Sequence, residues 1–93
     1  MKVEASSRFI RDIRRISAPA LARRVKQKIA EIEAAASIRD VSNVRRLNTQ
    51  SGIHYRVRIG DYRLGITIED EVAILVAFGP RADIYRRFPT RIS

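Results

Sequence analysis

Three arginines, Arg56, Arg58 and Arg63, fall within "HYRVRIGDYRLGI", residues 54 to 66 of the chain. Tyr55, Val57 and Ile59 alternate with them before Gly60-Asp61, and Tyr62, Leu64, Ile66 and Ile68 continue the alternation after it. A period of two marks strands, and a two-residue connection of this type marks a hairpin. The turn predicts a register: Ile59 opposite Tyr62, Arg58 opposite Arg63, Val57 opposite Leu64, and Arg56 opposite Gly65. The apolar side chains then share one face and the arginines the other. Like charges directly opposite cost roughly 0.2–1 kcal/mol unless something compensates them. Gly65 leaves a gap on the same face, where a ligand or another stretch of backbone has room to approach. Such a cluster has three readings. It is an edge charge that resists aggregation, a docking surface for an acidic partner, or a phosphate site in which an anion turns repulsion into attraction.

These arginines must be held by the rest of the chain. "KVEA" near the start reads as a short strand with Val3 and Ala5 on one face. Ser6 or Ser7 is suited to cap a following helix, in which Phe9, Ile13 and Ile16 recur at helical spacing beside Ile10. Ser17 and Pro19 then mark the start of a second helix that runs to about Ala36. Its apolar stripe is Leu21, Val25, Ile29, Ile32 and Ala36, and Arg23, Arg24, Lys26 and Lys28 lie mostly off that stripe. The short break predicts an antiparallel helical hairpin.

Residues 37 to 52 are irregular, with Val41, Val44 and Leu47 as candidate core anchors and "NTQSG" as a loop. "EDE" at 69 to 71 reads as a turn. "VAILVAFG" at 72 to 79 reads as a strand buried on both faces in mid-sheet. "PRADIYRRF" follows as a short helix or turn, with Asp83 near its start, and "PTRIS" is a tail. The expected architecture is a single α+β domain spanning 1 to 93. An N-terminal strand and helical hairpin pack on one face of a mostly antiparallel sheet, in the order β-α-α-β-β-β plus a short C-terminal helix. The other face is left partly open.

Composition narrows the partners. Lys and Arg total 19 against 10 acids, a formal net charge of +9, and only Lys2, Lys26 and Lys28 are lysines. Arginine offers a planar fork of donors suited to phosphate, so a polyanionic partner is favoured, nucleic acid or an acidic protein segment. Cysteine is absent, which excludes disulfides and cysteine-based metal sites. The first residues lack the apolar run of a signal peptide or membrane span. A soluble, cytoplasmic protein with no membrane association is expected.

The stretch "YRVRIGDYRLGITIEDEVAILVAFGPRADIY", residues 55 to 85, with "RRLNTQSG" before it, resembles the RelE/ParE superfamily of bacterial toxins. The shared run is a leucine and glycine, a basic strand, "GDYR", an apolar strand, then a glycine, an arginine and a tyrosine. The helical hairpin and the strand order agree with that fold, so the resemblance covers almost the whole chain. In the RelE-like branch it implies a toxin of a type II toxin-antitoxin system that enters the ribosomal A site and cuts messenger RNA without a metal or other cofactor. The RNA 2′-hydroxyl attacks the adjacent phosphate and leaves a cyclic phosphate and a 5′-hydroxyl.

By the same resemblance, Arg63 and Arg81 clamp the scissile phosphate. Arg56 and Arg58 hold the RNA backbone and lower the pKa of Tyr85, which serves as general base; Arg81 is the candidate proton donor. His54 shares the parity of the arginine face and is a candidate RNA contact. Pro80 stands where many relatives carry histidine or lysine, so no histidine-type acid is available there. The implied partners are a cognate antitoxin, in a hetero-oligomer, and the ribosome with its mRNA. Two alternatives belong to other classes: a ParE-like inhibitor of DNA gyrase, and a non-catalytic basic binding module descended from a toxin.

Overall fold

Ser6 joins the first strand to the first helix. Its hydroxyl accepts the Phe9 N–H at 3.1 Å, closing the start of α1 (Ser7–Arg14), and donates to the Val76 carbonyl at 2.9 Å. The same residue therefore caps a helix and fastens it to the sheet. In the computed structural model, which describes residues 1–47 and 53–88, β1 (Lys2–Ala5) precedes α1, and α2 (Pro19–Ala34) follows it. A single 3₁₀ turn, Ile38–Asp40, leads to β2 (Val44–Leu47). The chain continues through β3 (Ile53–Ile59), β4 (Tyr62–Glu69), β5 (Val72–Pro80) and α3 (Arg81–Arg87). The expected loop at 48–52 and tail at 89–93 lie outside the described residues.

The five strands form one sheet in the order β1-β5-β4-β3-β2. Among the described residues only the β1–β5 ladder is parallel. The α+β class, the helical hairpin and the mostly antiparallel sheet are as the sequence predicts. The β3–β4 register is also as predicted, pair for pair, with Arg58 opposite Arg63 and Arg56 opposite Gly65. Gly60 takes φ +61° as the first turn residue, the position at which a primed hairpin turn favours glycine.

The main core lies between the sheet and the α1–α2 hairpin. It holds Phe9, Val25, Ile32, Val57, Leu64, Ile66 and Leu75 among others. Burying them supplies most of the favourable free energy of such a small fold. Two charged residues also lie on that inner side. Asp12 accepts the buried Phe78 N–H at 2.9 Å, through Oδ2, beyond the point where β1 ends. Lys28 donates to Glu31 at 2.8 Å and to the carbonyl and hydroxyl of Ser42, each at 2.9 Å. Glu31 in turn accepts the Ser42 N–H at 2.5 Å. The Lys28 ammonium, followed by the Ser42 N–H, holds the Glu31 carboxyl below its ordinary pKa. This knot ties α2 to the segment entering β2.

Several expectations are corrected. Val44–Leu47 is a strand, not irregular chain. The N-cap of α2 is Ala18 without a side-chain bond, so Ser17 lies one residue too early. The helix stops at Ala34 because Ala35 is already extended, and Ala35 rather than Ala36 packs on the core. Lys28 is buried on the stripe, not off it. The second face of the sheet is, as expected, left partly open: Ile84 and Phe88 of the C-terminal segment cover part of it with Ala77, flanked by Leu47 and Val76. A register shift beside Gly65 and Ile66 leaves Val76 as an extra residue in β5, and it lies under this smaller cluster.

Candidate functional site

The arginine face is built from paired rows. Nearest the hairpin turn, Arg58 stands opposite Arg63. In the next row Arg45 of β2 stands opposite Arg56, which faces Gly65, and Gly65 faces Ala77 of β5. In the third row Leu47 faces His54, and His54 faces Thr67. Chemistry therefore changes along the face, from basic near the turn to mostly apolar farther away.

The like-charged pair is relieved locally. Arg63 turns toward the hairpin, and its Nη1 donates to the carbonyls of Gly60 at 2.9 Å and Tyr62 at 3.0 Å. Arg58 is exposed, and its backbone N–H donates to the Asn43 carbonyl at 3.0 Å. Asn43 has φ +60°, a conformation that asparagine tolerates better than most residues. That bond draws the start of β2 alongside β3.

The short helix α3 crosses this face. Its first backbone N–H, from Arg81, donates to the Asp61 carbonyl at 3.0 Å, so the helix starts beside the hairpin turn. Tyr85 follows Arg81 by one helical turn. The Arg56 guanidinium carbon lies 4.0 Å from the Tyr85 ring centroid, and that of Arg81 lies 5.2 Å away. Tyr85 remains 45% exposed, so it is not a core tyrosine. Arg63 beside the phenol, then Arg81, then the charge of Arg56 hold the Tyr85 pKa below its ordinary value. Arg56 itself is held below the usual arginine value, first by partial burial and then by the cations Arg45, Arg63 and Arg81, with Tyr85 opposing them.

Arg56, Arg58, Arg63 and Tyr85 line one concavity together with Arg45 and Asn43. Arg81 joins them through the Tyr85 ring. His54 is on the same face but does not reach this concavity. It is 8% exposed, its Nδ1 lies 2.9 Å from the Thr67 hydroxyl, and the Phe88 ring meets it edge-on at 5.7 Å between centroids. The candidate RNA-contacting histidine is therefore a covered one, because Phe88, just past the end of α3, lies against it. The gap at Gly65 is filled by the Phe88 ring rather than left for a ligand. Sequence reasoning missed Arg45, whose signal was the "VRRL" stretch beside a basic strand. Among the described residues no group of His, Cys, Asp or Glu is arranged to hold a metal ion.

A five-stranded, mostly antiparallel sheet with a helical hairpin on one face and a short helix across a basic row on the other is the RelE-like fold. The solved RelB-RelE antitoxin-toxin complex from Methanococcus jannaschii contains a chain that superimposes with a TM-score of 0.74 at 24% identity, covering 92% of this chain and 99% of that one. The archaeal RelE-RelB complex from Pyrococcus horikoshii OT3 gives 0.70 at 23% identity, covering 86% and 93%. In sequence, Toxin RelE3 of Methanocaldococcus jannaschii is 29% identical over 92 residues, which span 96% of this chain and 100% of the relative. No family model matches the chain. The chain is thus similar along its full length to a RelE toxin and shares the fold of the chains in these RelE-RelB complexes.

Proposed function

We propose that the protein is the toxin of a type II toxin-antitoxin system and a ribosome-dependent, metal-free endoribonuclease acting on mRNA. The observation that carries this reading is Tyr85, exposed at 45%, flanked by Arg56 at 4.0 Å and Arg81 at 5.2 Å, with its pKa lowered first by Arg63. An isolated tyrosine near pKa 10 is a poor base at neutral pH, and surrounding cations make its phenolate accessible.

The phenolate takes the proton of the RNA 2′-hydroxyl. The 2′-oxygen forms its bond to phosphorus, and the bond to the 5′-oxygen breaks. Arg63 and Arg81 hold the phosphate and stabilise the charge that develops in the transition state. Arg81 neutralises the departing 5′-oxygen, which takes a proton from solvent water to become the 5′-hydroxyl while Tyr85 returns its proton to solvent, and Arg56 and Arg58 hold the flanking backbone. Arginine retains its proton, so its contribution is electrostatic before it is acid catalysis.

The M. jannaschii and P. horikoshii relatives were solved as complexes of RelE with RelB. A cognate antitoxin is accordingly the expected partner of this chain. Its basic concavity suits an acidic segment as well as it suits RNA.

The test is expression from a tightly controlled promoter with mapping of cellular mRNA 5′ ends. Cuts inside translated codons are expected, Tyr85→Phe should abolish them, and Arg63→Ala should reduce them sharply. Intact messages with DNA breaks or supercoiling defects would identify a gyrase inhibitor instead. Intact messages and unaffected growth would leave a binding module.

A further inference from the structure

We infer that Phe88 and Gly65 form a key and notch that position Tyr85: the Phe88 ring seated against the Gly65 backbone fixes the end of α3 and so holds the phenol among Arg56, Arg63 and Arg81. The inference rests on the proposed nuclease reading only for its kinetic consequence.

The fit leaves no slack. A Cβ placed on Gly65 would stand 2.7–2.8 Å from Cγ, Cδ1 and Cδ2 of the Phe88 ring, closer than real side chains approach. The ring is 4% exposed and also meets His54, whose Nδ1 contact with Thr67 sets the floor beneath it. The second anchor, Ile84, is fully buried beside Ala77.

A seven-residue helix does not hold its shape alone, so its attachments determine where it lies. At the start, α3 is tied by the Arg81 N–H to the Asp61 carbonyl. At the end it is tied by Phe88. Tyr85 lies between the two ties, with one face toward the arginines. Losing the terminal tie lets the helix pivot about its start, and the phenol leaves the guanidinium groups first. Phe88 touches neither the arginines' concavity nor the phenol among the described contacts, so it is a positioning residue and not a catalytic one.

The experiment follows the Tyr85 phenol directly, by NMR titration of ring-labelled tyrosine in the full chain. Tyr85→Phe assigns its signal against Tyr55 and Tyr62. In Gly65→Ala and in Phe88→Ala the titration midpoint should rise toward the ordinary tyrosine value of about 10. RNA cleavage should slow by up to about 100-fold through kcat, with KM little changed, as expected when a reacting group is misplaced. Adding Phe88→Leu to Gly65→Ala narrows the key to fit the filled notch and should restore part of both losses. Phe88→Ala keeps the test available if Gly65→Ala does not fold, because Phe88 lies outside the main core. An unchanged Tyr85 titration in a folded variant would overturn the inference, and so would a double variant no better than Gly65→Ala alone. A shifted titration in a protein that cuts no RNA would sustain the key and notch while removing the nuclease reading.

Discussion

Tyr85 illustrates how a common side chain acquires chemistry from its neighbours. Its pKa is lowered chiefly by Arg63, which is itself oriented by the carbonyls of Gly60 and Tyr62. Because a general base works only when deprotonated, the cleavage rate should rise with pH along a limb set by the Tyr85 pKa. That limb should lie below the ordinary tyrosine value in the wild type and move to higher pH in Arg63→Ala, where the largest stabiliser of the phenolate is gone. A rate profile from about pH 6 to 10 measures it. A limb that stays in place would remove Arg63 from this role. His54 marks what residue types alone do not reveal. Its parity was legible, but its burial depends on a ring 34 positions later in the chain, and no local pattern announces that contact.

Elements were legible where their periodicity was clean. The β3–β4 register followed from one two-residue turn, since a slip of one position would expose Val57 and Leu64 and bury arginines. β2 was missed for a physical reason. Val44 packs toward the main core and Leu47 toward the smaller cluster, so its two apolar residues are three apart and point to opposite faces. That spacing imitates a helix turn or a loop. Lys28 was misjudged similarly, and Asp12 drew no reading at all. Asp12 lies three residues from Phe9 and Lys28 three from Val25, both on the buried stripe. A charge at such a position signals a partner across the core, here the Phe78 N–H for Asp12. Asp12→Ala should therefore destabilise the fold by about 1–3 kcal/mol, because it leaves that N–H buried and unsatisfied. Asp12→Asn, which keeps an acceptor, should lose less. Urea unfolding of both variants decides this, and equal stability would mean that α1 is held by packing alone.

At the scale of the molecule, the net charge of +9 is carried by both halves of the chain, with exposed Arg11, Arg14, Arg15, Arg23, Arg24 and Lys26 on the helices and the arginine rows on the sheet. No helix among the described residues is long and apolar enough to cross a membrane. Binding to single-stranded RNA should weaken steeply with salt through release of counterions. Arg45→Ala should flatten the plot of log affinity against log salt by about 0.7 if Arg45 contacts one phosphate. Filter binding or anisotropy over a salt series measures that slope, and an unaltered slope would take Arg45 out of the RNA contact.

The parallel β1–β5 ladder imposes an order on assembly. Hairpins β3–β4 and β4–β5 join neighbouring stretches across short turns, whereas Lys2 meets Val72 only after nearly the whole chain has come together. Contacts so distant in sequence form slowly, because the entropy of closing the loop is lost before the ladder returns any energy. Among the described residues β5 is the only strand joining β1 to the rest of the sheet, and α3 leads directly from its end. The tyrosine-bearing helix therefore has its seat as soon as the local β4–β5 hairpin exists, whereas the sheet's N-terminal edge waits for the slower closure of β1 onto β5.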